Sequence, residues 1–402
     1  MRPLADRYEA FLLDLDGVLY RGDEALPGAA GALAELRARG RRIAFLTNNS
    51  ARTPEGVAEK LTSVGIPASP DEVVTSALVT AERIRGAVAS AYVIGEAGLR
   101  AALAEAGIEV LGGEPERADA VVIGWDRSVD YDRLRVAAVL VGAGARLVAT
   151  NTDASYPAPG GQEWPGAGAI VAAVETATGM RAESFGKPAP ALFEAAMERV
   201  ATRRALVVGD RLETDVAGAV AAGLDAALVL TGAATIASLA EHDALPVAVL
   251  DDAMGVLEPR PLVRVRPARG DEATRISAAA GLAAVGGPEE ALVGEDEEAL
   301  ATASVAVEDD TAYMHSVAVN ERVRGLHLGA LLAGAALRRA AARGAGRVVL
   351  MTEDAAGFFG HLGFTEAGRE DLPGWVLDRA KACSAGAVAM ERPLSTATRA
   401  GR

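Results

Sequence analysis

Residues 10–19 read AFLLDLDGVL. Ala10 to Leu13 is an unbroken apolar run ending at an Asp-Gly turn, which predicts a buried strand with Asp14 and Asp16 at its C-terminal end. Asp-Gly by itself is common in turns and helix caps, so the weight of the motif comes from its surroundings. An amphipathic helix is expected over residues 29–39, closed by Gly40. Residues 41–50, RRIAFLTNNS, repeat the theme of an apolar strand followed by small polar groups, and residues 53–65 read as a helix. This strand–helix alternation implies a parallel sheet with helical crossovers. It continues through strand candidates at residues 91–95, 120–125, 146–151, 205–210, 226–231 and 247–250. The fold class is α/β, and ligands of open α/β sheets bind at the C-terminal ends of the strands.

Four groups converge on that edge. Asp14 and Asp16 end the first strand, and Thr47, Asn48 and Asn49 end the next. Lys187 stands in Phe185-Gly186-Lys187-Pro188, and Val207-Val208-Gly209-Asp210 ends a later strand, with Asp215 close behind. A carboxylate can act as a covalent nucleophile. Mg²⁺ takes hard oxygen ligands and keeps several waters, so two carboxylates and a carbonyl suffice to hold it. A cation and a lysine together offset the charge of a phosphate meeting a carboxylate in a low-dielectric pocket. The set fits phosphoryl transfer through an aspartyl phosphate.

Composition narrows the field. The 402 residues suggest two or three domains. The formal charge is −15. Residues 1–258 carry 23 Lys+Arg against 36 Asp+Glu, and residues 259–402 carry 17 against 19, so neither part has the footprint of a nucleic-acid binder. An anionic substrate therefore needs a local positive site. The longest uncharged stretch, residues 226–240, is shorter than the ~20 apolar residues of a membrane span, so no membrane partner is expected. Residues 1–10 lack the apolar core of an export signal, and the single Cys383 rules out an intramolecular disulfide framework; a cytoplasmic location is the expectation. All four histidines lie at or beyond residue 242, which excludes histidine catalysis in the first 241 residues. Only Lys60, Lys187 and Lys381 stand against 37 arginines, and a lysine kept in that background points to a use for its compact ammonium.

The motif set resembles the haloacid dehalogenase superfamily, with Asp14-Leu15-Asp16-Gly17, Thr47, Lys187 and Gly209-Asp210 with Asp215 in the positions of its four motifs. The resemblance implies a Rossmann-like core and a set of roles. Asp14 would be the nucleophile and Asp16 the acid/base. Thr47 and Asn48 would hold the phosphoryl group, and Lys187 would neutralise it. Asp14, Asp16 through its carbonyl, and Asp210 would bind Mg²⁺. Asp215 would orient Lys187 or a metal-bound water. The second aspartate argues for ester hydrolysis, because an alkoxide leaving group needs a proton.

About 140 residues separate Thr47 from Lys187, too many for one crossover, so an inserted α/β cap is expected over 78–182. The core would then comprise 1–77 and 183–258. Ala149-Thr150-Asn151-Thr152-Asp153, Tyr156-Pro157 and Pro165 to Ile170 resemble the type IIA, nitrophenylphosphatase-like branch with its C2 cap, although Thr152 and Ala167 depart from the usual Pro and Asn. That branch implies small phosphorylated metabolites as substrates and caps that often pair, hence a homodimer. Substrate-binding candidates are Thr47, Asn48, Asn49, Trp125, Arg127, Asp153 and Tyr156, with Asp126 beside them. Trp125 and Tyr156 read equally well as core or cap-interface aromatics, and Arg127 as a partner of a substrate carboxylate or of Asp130.

Residues 258–262, EPRPL, mark a boundary. Beyond it a strand is expected at 262–267, a Gly-Pro and acidic loop at 286–298, strands at 301–307 and 313–319, a helix at 325–343, a strand at 347–351 and a tail over 393–402. Residues 313–329 and Phe358 to Phe364 resemble the GNAT acetyltransferases, over about 262–392, an α+β fold. The resemblance implies acetyl-CoA at the Arg324 to Gly329 turn. His327 replaces the middle glycine of that turn, and Phe359 aligns with the usual tyrosine acid. The readings left open are an acyltransferase and a degenerate domain that binds a partner or stabilises the chain. His315 and His361 read as packing or surface residues, and Met351 and Phe364 as core. A type IIA phosphatase joined to such a tail resembles bacterial two-domain glycerol-3-phosphate phosphatases. The expected reaction is hydrolysis of glycerol 3-phosphate, with phosphoglycolate or another small ester as the alternative.

Overall fold

A computed structural model describes residues 1–158, 162–282, 290–382, 384 and 386–394. The chain divides into two compact units. One comprises Ala5–Ala226 and Asp252–Leu257, and the other Met1–Leu4, Ala227–Asp251 and Glu258–Arg402.

In the first unit the chain runs β1 (Ala10–Asp14), α1 (Ala29–Ala38), β2 (Arg42–Thr47), α2 (Pro54–Ser63), β3 (Val73–Thr75) and α3 (Ser76–Ile84). A second series follows: β4 (Ser90–Ile94), α4 (Ala97–Glu105), β5 (Glu109–Leu111), β6 (Ala120–Ile123), α5 (Tyr131–Gly142), β7 (Arg146–Ala149), the hairpin β8 (Ser155–Ala158) and β9 (Gln162–Pro165), α6 (Ala167–Thr178) and β10 (Glu183–Ser184). Helix α7 (Pro190–Val200) and β11 (Ala205–Gly209) follow, with a short helix at Ala217–Ala221 and a small hairpin, Tyr20–Arg21 with Glu24–Ala25, after β1. Strands β11, β1, β2 and β3 lie side by side in that order, all parallel. Phe11, Leu12, Phe45, Leu46, Leu206 and Val208 are buried. Strands covered by helices on both faces read as continuous apolar runs.

Strands β10, β7, β6, β4 and β5 form a second parallel sheet, so the residues between the Thr47 and Lys187 segments carry their own sheet. Two cores flank it, one around Leu99, Leu103 and Val122, the other around Ile123, Leu140 and Val171. Helix α2 starts one residue after Thr53, whose hydroxyl accepts from the Gly56 amide as an N-cap, and Asp130 caps α5 in the same way.

In the second unit β12 (Asp225–Val229) and β13 (Ala248–Leu250) pair in parallel. The C-terminal part is a seven-stranded mixed sheet. Its elements are β14 (Arg264–Pro267), α8 (Glu272–Ala279), β15 (Ala291–Glu295), β16 (Ala299–Glu308), β17 (Thr311–Val319), α9 (Leu328–Ala342), β18 (Arg347–Thr352), β19 (Thr365–Glu366) and β20 (Val388–Pro393). Strands β17 and β18 are parallel, and the other neighbours antiparallel.

Three expectations change here. Residues 291–295 form a strand rather than a loop, because Ala291, Leu292 and Val293 are buried between β14 and β16. Helix α9 begins at Leu328 rather than Gly325, because Glu321–Val323 form a 3₁₀ turn and Gly325 and His327 take φ of 79° and 61°, outside helical geometry. Met351 is half-buried rather than core, whereas Phe364 is buried. Cys383, residues 283–289 of the expected acidic loop and residues 395–402 of the tail lie outside the described residues. No helix among the described residues is long and apolar enough to cross a membrane.

Candidate active site

The parallel register brings the strand ends together. Asp14 pairs with Leu46, the residue before Thr47, and Leu13 pairs with Val208, two before Asp210. Lys187 enters from the loop before α7. Its Nζ donates to Asp14 Oδ1 at 2.5 Å and to Asp215 Oδ1 at 2.6 Å. Asp14, Asp210 and Asp215 each offer a carboxylate oxygen within 4.8 Å of the others. The side chains of Lys187, Asp14 and Asp215 are 5%, 12% and 1% exposed, so little water screens them. Burial opposes the ammonium of Lys187, but Asp14 and Asp215 outweigh it and hold its pKa above the ordinary value. Burial, with Asp215 and Asp210, pushes Asp14 up against the pull of Lys187.

Asp215 has room because residue 209 is glycine. A Cβ there would lie 2.2 Å from that of Asp215. Asp215 Oδ2 also accepts from the Arg211 amide at 3.1 Å, within a single π turn, Leu212–Val216. Such turns recur at functional sites.

Asn48 ties three segments together. Its Oδ1 accepts from the Lys187 amide at 2.8 Å, and its Nδ2 donates to the Lys187 carbonyl at 3.1 Å and to Asp153 Oδ1 and Oδ2 at 3.1 and 3.0 Å. Its carbonyl accepts from Ser76 Oγ and Asn151 Nδ2, both at 2.7 Å. Both ends of its side-chain amide are thus committed to holding Lys187 and Asp153 in place. Thr47 Oγ1 accepts from the Asn49 amide at 3.0 Å, which leaves its O–H to donate. Asn49 turns back on its own loop, its Oδ1 accepting from the Ala51 amide at 2.9 Å. Asp153 is half-buried, and burial raises its pKa.

Trp125 and Tyr156 stack, centroids 4.5 Å apart and planes at 28°, and Trp125 Nε1 donates to the Pro165 carbonyl at 3.1 Å. Arg127 lies over the Trp125 ring at 5.3 Å and donates to both oxygens of Glu96, at 2.9 and 3.3 Å. Its partner is thus Glu96 rather than Asp130. Asp126 is buried and bound by Arg133 at 2.6 Å and by Ser128; burial opposes its charge, but those hydrogen bonds prevail and lower its pKa.

One group at this edge escaped the sequence reading. Tyr20 is buried, and its hydroxyl faces Asp16 Oδ2 at 3.5 Å. The signal was present, since Tyr20 closes the same Asp14-to-Leu19 turn. Burial raises the pKa of Asp16, with Lys60 and Lys187 pulling the other way.

In the C-terminal part, His327 carries its Cβ at φ 61° and places Nε2 2.8 Å from Asp251 Oδ1. Phe359 is buried, edge-on to Phe358 and Phe364. His361 is exposed. His315 is buried, stacked on Tyr313 at 5.2 Å.

A buried lysine clamped between a strand-end aspartate and an aspartate of the π turn, with a third aspartate in reach, is the arrangement of an aspartate-based phosphohydrolase. The chain belongs to the haloacid dehalogenase-like hydrolases, which match residues 11–109, with the HAD-hydrolase-like family matching 184–254. It is a phosphatase of that type. It is 39% identical over 244 residues to the acid sugar phosphatase of Staphylococcus aureus, covering 60% of this chain and 93% of the relative. The crystal structure of a glycerol phosphate phosphatase from Mycobacterium tuberculosis with magnesium aligns at a TM-score of 0.66 and 31% identity, over 84% of this chain and 93% of that one. A 4-nitrophenylphosphatase from Thermotoga maritima aligns at 0.59 and 33%, over 64% and 98%. The acetyltransferase (GNAT) family matches residues 268–364.

Proposed function

We propose that the chain hydrolyses glycerol 3-phosphate to glycerol and phosphate in a Mg²⁺-dependent reaction. The observation that carries the substrate is the reach of the glycerol phosphate phosphatase alignment, 84% of this chain, which extends well beyond the 60% shared with the acid sugar phosphatases. The site supports it. Arg127 is committed to Glu96, and Asp153 offers carboxylate oxygens that accept hydrogen bonds from hydroxyls and repel a second acidic group. Phosphoglycolate is disfavoured on both counts. A sugar phosphate is the second reading, favoured by the 39% identity to the acid sugar phosphatases.

Asp14 attacks phosphorus, and Asp16 protonates the departing alcohol, then takes a proton from the water that cleaves the aspartyl phosphate. Thr47 donates its hydroxyl to a phosphoryl oxygen. Lys187, oriented by Asp215, offsets the charge of Asp14 and of the phosphate. Asn48 positions Lys187 and Asp153. The all-oxygen donor set fits Mg²⁺, with Asp14, Asp210 and the Asp16 carbonyl as its ligands. Bound there, the ion supplies charge neutralisation. The inserted sheet, which runs from β4 at Ser90 to β10 at Ser184 and so passes the expected boundary at 182, acts as the cap, and the Trp125–Tyr156 stack as the apolar wall of the leaving-group site.

The test is phosphate release at neutral pH, with Mg²⁺ and with EDTA, from glycerol 3-phosphate, 2-phosphoglycolate, pyridoxal phosphate and a hexose phosphate. Metal-dependent release with glycerol 3-phosphate best by kcat/KM is expected. A better hexose phosphate would move the assignment to the second reading.

A further inference from the structure

Tyr20 and Lys60 lie outside every motif that carries the chemistry, yet they converge on Asp16. The turn after β1 closes tightly, the Leu19 amide donating to the Leu15 carbonyl and the Gly17 amide to the Tyr20 carbonyl, both at 2.9 Å. That closure brings the Tyr20 phenol back to the carboxylate four residues earlier, with 3.5 Å between its oxygen and Asp16 Oδ2. Catalytic hydrogen bonds are often long in a ligand-free enzyme and shorten when substrate binds. Tyr20 is buried, and a phenol with an ordinary pKa of about 10 is a neutral O–H donor at neutral pH.

The ring is held from behind. Lys60, on α2, places Nζ 5.2 Å from the Tyr20 ring centroid and pairs with Asp23 in the hairpin turn that follows Tyr20. Asp23 is 97% exposed, so the pair adds little stability. Its consequence is geometric: it keeps the ammonium over the ring, a cation–π contact. Lys60 is also one of only three lysines in the chain.

We propose that Tyr20 is a positioning residue of the phosphatase reaction, its hydroxyl binding Asp16 Oδ2 so that Oδ1 carries the transferable proton, with Lys60 fixing the Tyr20 ring. The inference rests on the assignment of Asp16 as acid/base. In the first half-reaction a carboxylate oxygen of Asp14 forms a bond to phosphorus as the ester P–O bond breaks. The electron pair leaves on the alcohol oxygen, which takes the proton from Asp16 Oδ1. In the second half-reaction water forms the new P–O bond, its proton goes to Asp16, and the Asp14–phosphorus bond breaks. A misaligned Asp16 costs most where the leaving group is most basic.

The experiment compares kcat/KM, which reports the steps through alcohol release, on glycerol 3-phosphate and on 4-nitrophenyl phosphate. Nitrophenolate leaves without a proton. Asp16→Asn is the reference for acid catalysis, a contribution of about 10²–10⁴-fold. Tyr20→Phe keeps the ring and the packing, and is expected to lose about tenfold or more on the alkyl ester and under about threefold on the aryl ester. Lys60→Met is expected to show the same pattern more weakly. Thermal unfolding of both variants within a few degrees of wild type establishes folding. If Asp16→Asn discriminates between the esters and Tyr20→Phe does not, the positioning role is overturned while the acid assignment stands. If Asp16→Asn does not discriminate either, both fall.

Discussion

Replacing Lys187 by methionine removes one buried positive charge from among three carboxylates while keeping most of the side-chain volume. In the wild type, Nζ sits 2.5 Å from Asp14 and 2.6 Å from Asp215. Without it, oxygens of Asp14, Asp210 and Asp215 remain within 4.8 Å of one another with no ammonium between them. At an effective dielectric of about 20, each pair of unit charges within that separation repels by at least about 3.5 kcal/mol. Removing one partner of a buried ion pair costs about 3–5 kcal/mol, which for a unit of this size corresponds to a fall in Tm of roughly 6–20 °C. Turnover should fall at least a hundredfold, because Asp14 would then meet the phosphate with no cation on its far side. The assays are calorimetry and phosphate release at neutral pH. The stability deficit should shrink on acidification, since protonating one carboxylate removes the repulsion. Lys187→Arg should also fail despite its charge, because a planar guanidinium cannot replace a point charge between two oxygens. A Lys187→Met protein as stable and as active as wild type would refute this account, and a fully active Lys187→Arg would refute the geometric part.

Arg127→Ala should leave KM for glycerol 3-phosphate within about twofold, because an exposed pair with Glu96 contributes at most about 1 kcal/mol and the guanidinium is not available to substrate; a tenfold rise in KM would place it in the site. Burial, then repulsion from Arg379, lowers His315 to about 4. Glu290, 3.7 Å away, is taken up by Arg379 through both oxygens. The unfolded chain protonates this histidine near its ordinary value of about 6.5. The sign is therefore a loss of stability as pH falls from about 6.5 to 4, by up to about 3 kcal/mol, and none below that window. Urea unfolding against pH, wild type beside His315→Gln, should show a steeper fall in the wild type between about pH 6.5 and 4, the difference being the contribution of His315. Orthophosphate should bind at least about tenfold more tightly in the presence of Mg²⁺ by calorimetry, a coupling of about 1.4 kcal/mol; equal affinities would detach the ion from the phosphate site.

Much of the catalytic edge was legible because the physics there is local. Fully buried parallel strands are continuous apolar runs, so β1 and β2 stand out, and the polar residues that follow must lie at the sheet edge. Asp14, Thr47 and Asp210 are placed at one edge on that ground, whereas Lys187 and Asp215 follow from the resemblance of their motifs. What escaped depends on distant partners or on elements too short to show a period. Arg127 meets Glu96, 31 residues away, and no pattern near Arg127 names that partner. Strand β15 lies between a Gly-Pro segment and an acidic run, and only its pairing with β14 and β16 makes it a strand. The start of α9 depends on a left-handed backbone at His327, which a non-glycine residue seldom adopts and the sequence does not announce. The motif places Asn48 against the phosphate, and its side chain holds the Lys187 peptide and Asp153, a role set by partners 139 and 105 residues away in the chain.

Charge explains why the site takes this form. A chain of formal charge −15 must admit a phosphate, and the lining adds Asp14, Asp16, Asp210 and Asp215 to the opposing field. Lys187 is the buried cation that contacts two of them directly, and Lys60 and Arg211 act on Asp16 from further away. One ammonium cannot offset that many carboxylates and a dianionic substrate in a weakly screened pocket. A divalent cation held by the carboxylates of Asp14 and Asp210 and the carbonyl of Asp16 would supply the missing positive charge, with the surrounding negative charge favouring its binding. The acidic cluster that would repel the substrate alone is therefore the reason a metal-loaded site can attract it. On this argument the proposed Mg²⁺ dependence would follow from the count and placement of the aspartates.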